Sequence, residues 1–122
     1  MIIEISIGEA LDKLSILRIK LDNIKDEVKQ NNIRKEHNHI SEKCQSVLTN
    51  AKVAILYQEL IKVNRLLWKI EDSIRIKEKE NTFDENFITL ARKVYTTNDQ
   101  RAEIKKQINI ITKSNFIEEK SY

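Results

Sequence analysis

A chain of 122 residues with no proline and one glycine, Gly8, has few ways to turn. Tight hairpins rely on Gly, Asn-Gly or Pro to set the backbone, so a β-protein of this size would be starved of turns. Ample Ile and Leu, with no biased repeat, argue against disordered and collagen-like classes. The length fits one core. The sequence therefore predicts an all-α fold, an up-and-down bundle of three to four helices forming a single helical domain over residues 1–122.

Apolar spacing places the helices. Ala10, Leu14, Leu17, Leu21, Ile24 and Val28 step 4, 3, 4, 3, 4, with Leu11 and Ile16 beside them. This is one helix face and predicts a helix over about 7–30. Ser6-Ile7-Gly8-Glu9 reads as its capping box, and Asn31-Asn32 as its stop. Ile2 to Ile5 are β-branched and could form a short edge strand. Residues 33–48 are polar and fit either a marginal helix or a mobile loop. From 51 to about 80 the signal is strong: Leu56, Leu60, Val63, Leu67, Ile70 and Ile74 repeat the same steps on a long central helix. Thr82-Phe83-Asp84-Glu85 is a second capping box. Thr97-Asn98-Asp99-Gln100 is a third, and it coincides with a break in the apolar stripe. A turn at 95–97 is therefore expected, in preference to one continuous helix over 83–113. Such a turn would bring Lys105 and Asn109 back toward Glu71 and Arg75.

Charge and cysteine content narrow the setting. Cys44 is alone, so no intrachain disulfide can form, which fits a reducing, cytoplasmic compartment. The N-terminus carries Glu4 and no basic segment, unlike a secretory signal. The longest apolar run, Val53 to Tyr57, is far short of the roughly 20 residues of a membrane span. Net charge is +3, with +4 on residues 31–70. Those bases are spread along the segment, not clustered, so nucleic acid is not an expected partner.

The strings IGEALDKLSILRIKLDNI (7–24), NRLLWKIEDSIRIKE (64–78), FDENFITLARKVYTTNDQRAEIKKQIN (83–109) and EEKSY (118–122) carry a resemblance. Together they resemble an uncharacterised family of small bacterial and viral proteins, known as a domain of unknown function. The resemblance implies a genomic setting: some members look to be encoded near genes for surface-glycan or lipopolysaccharide assembly. It carries over no catalytic residue and no ligand.

No complete catalytic or metal constellation is present in the sequence: no Gly-rich phosphate loop, no CxxC, no HExxH and no nucleophile elbow. His37 and His39, at i and i+2, cannot share a helix face. Glu9 and Asp12 form half of a two-helix acidic site, but Glu71 has Arg75 at i+4 and reads as an ion pair. No cofactor and no metal are expected. The distinctive feature is a polar stripe beside the apolar one. Asn64, Trp68, Glu71, Arg75 and Glu78 step 4, 3, 4, 3 on the long helix. Arg92, Tyr95, Asn98, Asp99, Arg101, Lys105 and Asn109 continue the pattern on the last. With 16 Lys against six Arg, the arginines are notable as planar two-pronged donors. Asn64, Trp68, Glu71, Arg75, Arg92, Tyr95, Asn98, Asp99, Arg101 and Lys105 are the candidate ligand-binding residues. Arg75, Arg92 and Arg101 are expected within one connected polar region with Glu71, Asp72, Asp99 and Tyr95. Asn64 and Asn109 beside the apolar stripes could instead fix helix register.

Two readings follow. The first is a non-enzymatic helical interaction or accessory protein, linked to surface-glycan metabolism with a protein partner in that assembly. It would be a homo-oligomer, expected as a dimer because Ile55, Leu66 and Leu67 widen the apolar face of the long helix. The second is a small helical enzyme or binding protein for an anionic metabolite such as a nucleotide-sugar or phosphate. Arginines already paired with carboxylates favour the first, and free arginines converging on a pocket favour the second.

Overall fold

The computed structural model describes residues 1–122. It is 78% helical and contains no strand. Four helices run in sequence: α1 (Ile7–Asn23), α2 (Glu27–Leu48), α3 (Ala51–Lys79) and α4 (Glu85–Ile111). α1 and α3 each pack on all three other helices, while α2 and α4 are not paired with each other. α3 and α4 form the longest pairing. One apolar cluster joins the helices, with Leu11 and Leu14 of α1, Cys44 of α2, Val53, Leu56 and Leu60 of α3, and Ile108 of α4. No helix is long and apolar enough to cross a membrane.

Each helix starts at a side-chain cap that accepts an otherwise orphaned amide. Ser6 Oγ accepts from Glu9, Asp26 from Lys29, Asn50 from Lys52 and Val53, and Asp84 from Phe87. The Phe87 amide and the Lys77 ammonium hold the Asp84 carboxyl below its ordinary range. α3 and α4 end in left-handed residues, Asn81 at φ 54° and Lys113 at φ 53°. In both, the amide beyond closes a six-residue loop, Thr82 to Lys77 and Ser114 to Asn109, satisfying the last carbonyls.

Several sequence expectations are corrected. α1 stops at Asn23, well before Asn31-Asn32, because Asp26 caps a new helix within the expected one. Val28, assigned to the α1 stripe, is consequently exposed on α2. Of the two alternatives left open for residues 33–48, the helix is the one that forms, although only Cys44 is buried there. The second cap is Asp84 and not Thr82. No strand forms at Ile2–Ile5. The turn at 95–97 does not exist: α4 is continuous from Glu85 to Ile111. The stripe breaks there because Arg101 turns to a buried carboxylate on α1 and Thr97, one turn before it, is polar yet buried, so Thr97 lies within a helix instead of capping one.

Candidate functional site

Three helices meet around a carboxylate. Asp12 of α1 is 1% exposed. Arg101 of α4 grips it with two donors, Nε at 2.9 Å from Oδ1 and Nη2 on Oδ2. Asn64 of α3 donates one amide hydrogen to Asp12 Oδ1 at 2.9 Å and the other to Ser15 Oγ at 2.7 Å. Ser15 in turn donates to the Asp12 carbonyl at 2.7 Å. The two-pronged contact is the strong form of a charge-assisted hydrogen bond, and it fixes the guanidinium plane. The Asp12 hydrogen bonds and charge raise Arg101 above its ordinary value, against the effect of burial.

One turn along α4, Lys105 is nearly buried. Its Nζ lies 2.8 Å from Glu9, 3.8 Å from Asp12 and 3.3 Å from Glu118 of the C-terminal segment. Burial alone would push the ammonium down. The Glu9 hydrogen bond and the charges of Asp12, Glu9 and Glu118 more than offset it, so the net direction is up. Beyond Lys105, Asn109 Oδ1 accepts from the Gly8 amide at 2.7 Å, and Ser114 Oγ from the Ile7 amide at 3.2 Å. The end of α4 and the segment just after it thus satisfy the first two amides of α1, and the Ser6 hydroxyl satisfies the third. No buried side-chain polar atom in this assembly is left without a partner.

Beside the network lies a cleft of about 270 Å³ between α1, α3 and α4. Asn64, Trp68, Glu71, Asn98 and Arg101 line it with Leu67 and two α1 isoleucines. Five of the sequence candidates therefore converge, and Lys105 and Asn98 share a smaller recess with Arg101 next door. Asp99 faces away, toward Glu103.

Arg75, Arg92 and Tyr95 are exposed and line neither space. The expectation that Arg75, Arg92 and Arg101 share one polar region is corrected. On a continuous helix rising 1.5 Å per residue, Arg92 is about 13 Å from the level of Arg101. Arg75 is about 16 Å along α3 from Asn64. Without a turn at 95–97, Lys105 and Asn109 also run away from Glu71, to the start of α1.

Sequence reasoning missed Ser15 and Glu118 and undervalued Asp12. Asp12 was legible as a carboxylate between two small residues at helical spacing, Gly8 and Ser15, beside the leucine stripe.

The chain belongs to a family of unknown function (DUF6165). The match covers residues 1–122. No curated protein and no solved structure matches the chain. Membership of this family assigns no role to the Asp12 cluster or to the cleft.

Proposed function

We propose that this protein is a non-enzymatic helical interaction or accessory protein that acts as a homodimer in the cytoplasm. The observation that carries this reading is the mutual pairing of the central charges. Asp12 is gripped by Arg101, Lys105 by Glu9 and Glu118, and the Ser15 hydroxyl donates to a backbone carbonyl with no base beside it. A general base or nucleophile needs a lone pair free to react, and an anion site needs uncompensated donors. These groups instead lock α1, α3 and α4 in register, which supports a structural role over the anionic-metabolite reading.

Self-association has a better surface than the long helix. Ile55 and Leu66 are exposed, but Glu59 and Lys62 interrupt that face and Leu67 is buried. At the end of the bundle, Glu4 accepts a hydrogen bond from Asn115 and holds the two terminal segments side by side. Ile3 is 68% and Phe116 54% exposed there, with Ile5 and Ile117 beside them in sequence. Residues 1–5 and 115–122 make no backbone–backbone hydrogen bond. An extended segment with a free backbone and β-branched side chains is open to pairing, and a second copy supplies the same segment about a twofold axis.

Light scattering on a sizing column tests this reading. A dimer, twice 14.4 kDa, is expected at high micromolar concentration. The double variant Ile3→Asp/Phe116→Asp should run as a monomer, while Ile55→Asp/Leu66→Asp should not. A wild-type monomer throughout would overturn the dimer. The surface-glycan setting that the sequence resemblance implies is tested separately. Deleting the gene in its host should alter the lipopolysaccharide banding pattern, and unchanged banding would count against that setting.

A further inference from the structure

We infer that the cleft between α1, α3 and α4 is a binding site for a neutral pyranose sugar. This goes beyond the interaction role and does not rest on the dimer, so either can fail alone.

The inference comes from what the network leaves unused. Asn64 spends both amide hydrogens on Asp12 and Ser15, and its Oδ1 has no partner in the chain. Since no buried polar atom is unpartnered, that oxygen meets solvent. Asn98 accepts from Arg101 Nη1 through Oδ1 at 3.3 Å, leaving its amide hydrogens free. Arg101 uses three of its five N–H groups, on Asp12 and Asn98. Glu71 is exposed at the rim and takes part in no ion pair, and the Trp68 indole N–H has no partner in the chain. The cleft therefore presents acceptors (Asn64 Oδ1, the Glu71 carboxylate) and donors (Asn98, Arg101) around the half-buried ring of Trp68.

Size and charge narrow the ligand. A volume near 270 Å³ lies just below the usual range for small-molecule pockets. It suits one saturated ring. Arg101 is compensated by Asp12, and Glu71 adds a negative charge, so the site does not favour an anion. A hydroxyl both donates and accepts, so neighbouring hydroxyls on a ring match a mixed row of amides, carboxylate and guanidinium. The apolar C–H face of the same ring packs on an indole, which offers a flat surface with a negative π-cloud. The Asp12 network holds Arg101 and Asn64 rigid before any ligand arrives, which reduces the entropy lost on binding.

Trp68 is the only tryptophan in the chain, so its emission reports on this cleft alone. The full-length protein is titrated with D-glucose, D-mannose, D-galactose and N-acetyl-D-glucosamine, and in parallel with inorganic phosphate and choline. A saturable change with at least one of the four sugars is expected. Its half-saturation should be in the millimolar range, as suits a ligand of about a dozen heavy atoms. Asn98→Ala and Glu71→Gln sit at the cleft edge, so helicity should be kept while the affinity falls at least tenfold. Three outcomes would overturn the inference: no saturable response to any of the four sugars, a response to phosphate or choline in place of sugar, or an unchanged response in both variants.

Discussion

The single glycine gives the sharpest test of how the bundle is closed. A methyl group on Gly8 would lie 2.6 Å from the carbonyl oxygen of Lys105 and 2.9 Å from Asn109 Oδ1. Neither atom can give way easily. The first belongs to the α4 backbone, and the second is a buried amide already bonded to the Gly8 nitrogen. In a solvent-exposed helix, Gly to Ala would gain about 1 kcal/mol from propensity. Here α1 must retreat from α4, and overpacking of that kind costs about 1–3 kcal/mol. Retreat also stretches the Gly8–Asn109 hydrogen bond, and a buried pair left unsatisfied costs about 1–3 kcal/mol more. The balance for Gly8→Ala is a loss of roughly 1–5 kcal/mol, centred near 3. For a chain this long that lowers the melting temperature by about 10 °C. Thermal and urea unfolding followed at 222 nm measure it. The change should be coupled to Asn109→Ala, because both act on one contact. A Gly8→Ala protein as stable as the wild type would show that α1 and α4 do not approach as closely as described.

Two further outcomes follow from the same network. Asp12→Ala leaves Arg101 partly buried without its partner and should cost about 3–5 kcal/mol, whereas Arg65→Ala, which breaks the exposed Arg65–Asp22 pair, should cost under about 1; urea midpoints of the two variants compare them, and equal losses would deny Asp12 its central place. Stability should also fall as the solution turns alkaline. Burial raises the Cys44 thiol and the Tyr57 phenol above ordinary values of 9.0 and 10.0, so the unfolded chain loses those protons first. Lys105 is raised above 10.5, so its stabilising charge is complete below that value and is lost as pH climbs through the folded one. All three effects have the same sign. Unfolding free energy should therefore hold steady below about pH 9 and decline above it. Cys44→Ala should delay the onset, and a flat profile to pH 11 would refute the assignment.

How far the sequence reveals this fold depends on what each residue buries. α3 was legible from end to end because Leu56, Leu60, Leu67 and Ile70 bury one continuous stripe. α2 was not, because it hides only Cys44 and is mostly solvated, so periodicity had little apolar signal to carry. The break after Asn23 was hidden by Ile24 and Val28, which keep the helical spacing across a junction where the chain leaves the helix. In α4 the error came from reading polarity as exposure. Thr97, Lys105 and Asn109 are polar and buried, the last two against polar partners, and such a segment mimics a turn when only hydrophobicity is counted. The stripe Asn64–Trp68–Glu71 lay on one face as expected, and the arginine that joins it was among the candidates. What one helix alone could not show was that the partner of Arg101 comes from α1, 89 residues away.

That distance explains why the cluster sits where it does. A bundle held only by leucine and isoleucine can slide by a turn or rotate a helix at modest cost, since volume-conserving apolar swaps are tolerated. A carboxylate gripped by a guanidinium at two points, with an amide from a third helix on the same oxygen, has one acceptable geometry. Desolvating these charges offsets much of their attraction, so the cluster adds less to stability than its short distances suggest. Its effect is on register. With Arg101 on Asp12, Asn109 stands opposite Gly8, and Gly8 permits that approach because it has no side chain. The same arrangement fixes Asn98 and Arg101 at the cleft wall across from Trp68. The glycine at position 8, the buried carboxylate at 12 and the cleft at 64–71 are therefore one mechanical unit, in which the contact that closes the bundle also shapes its open side.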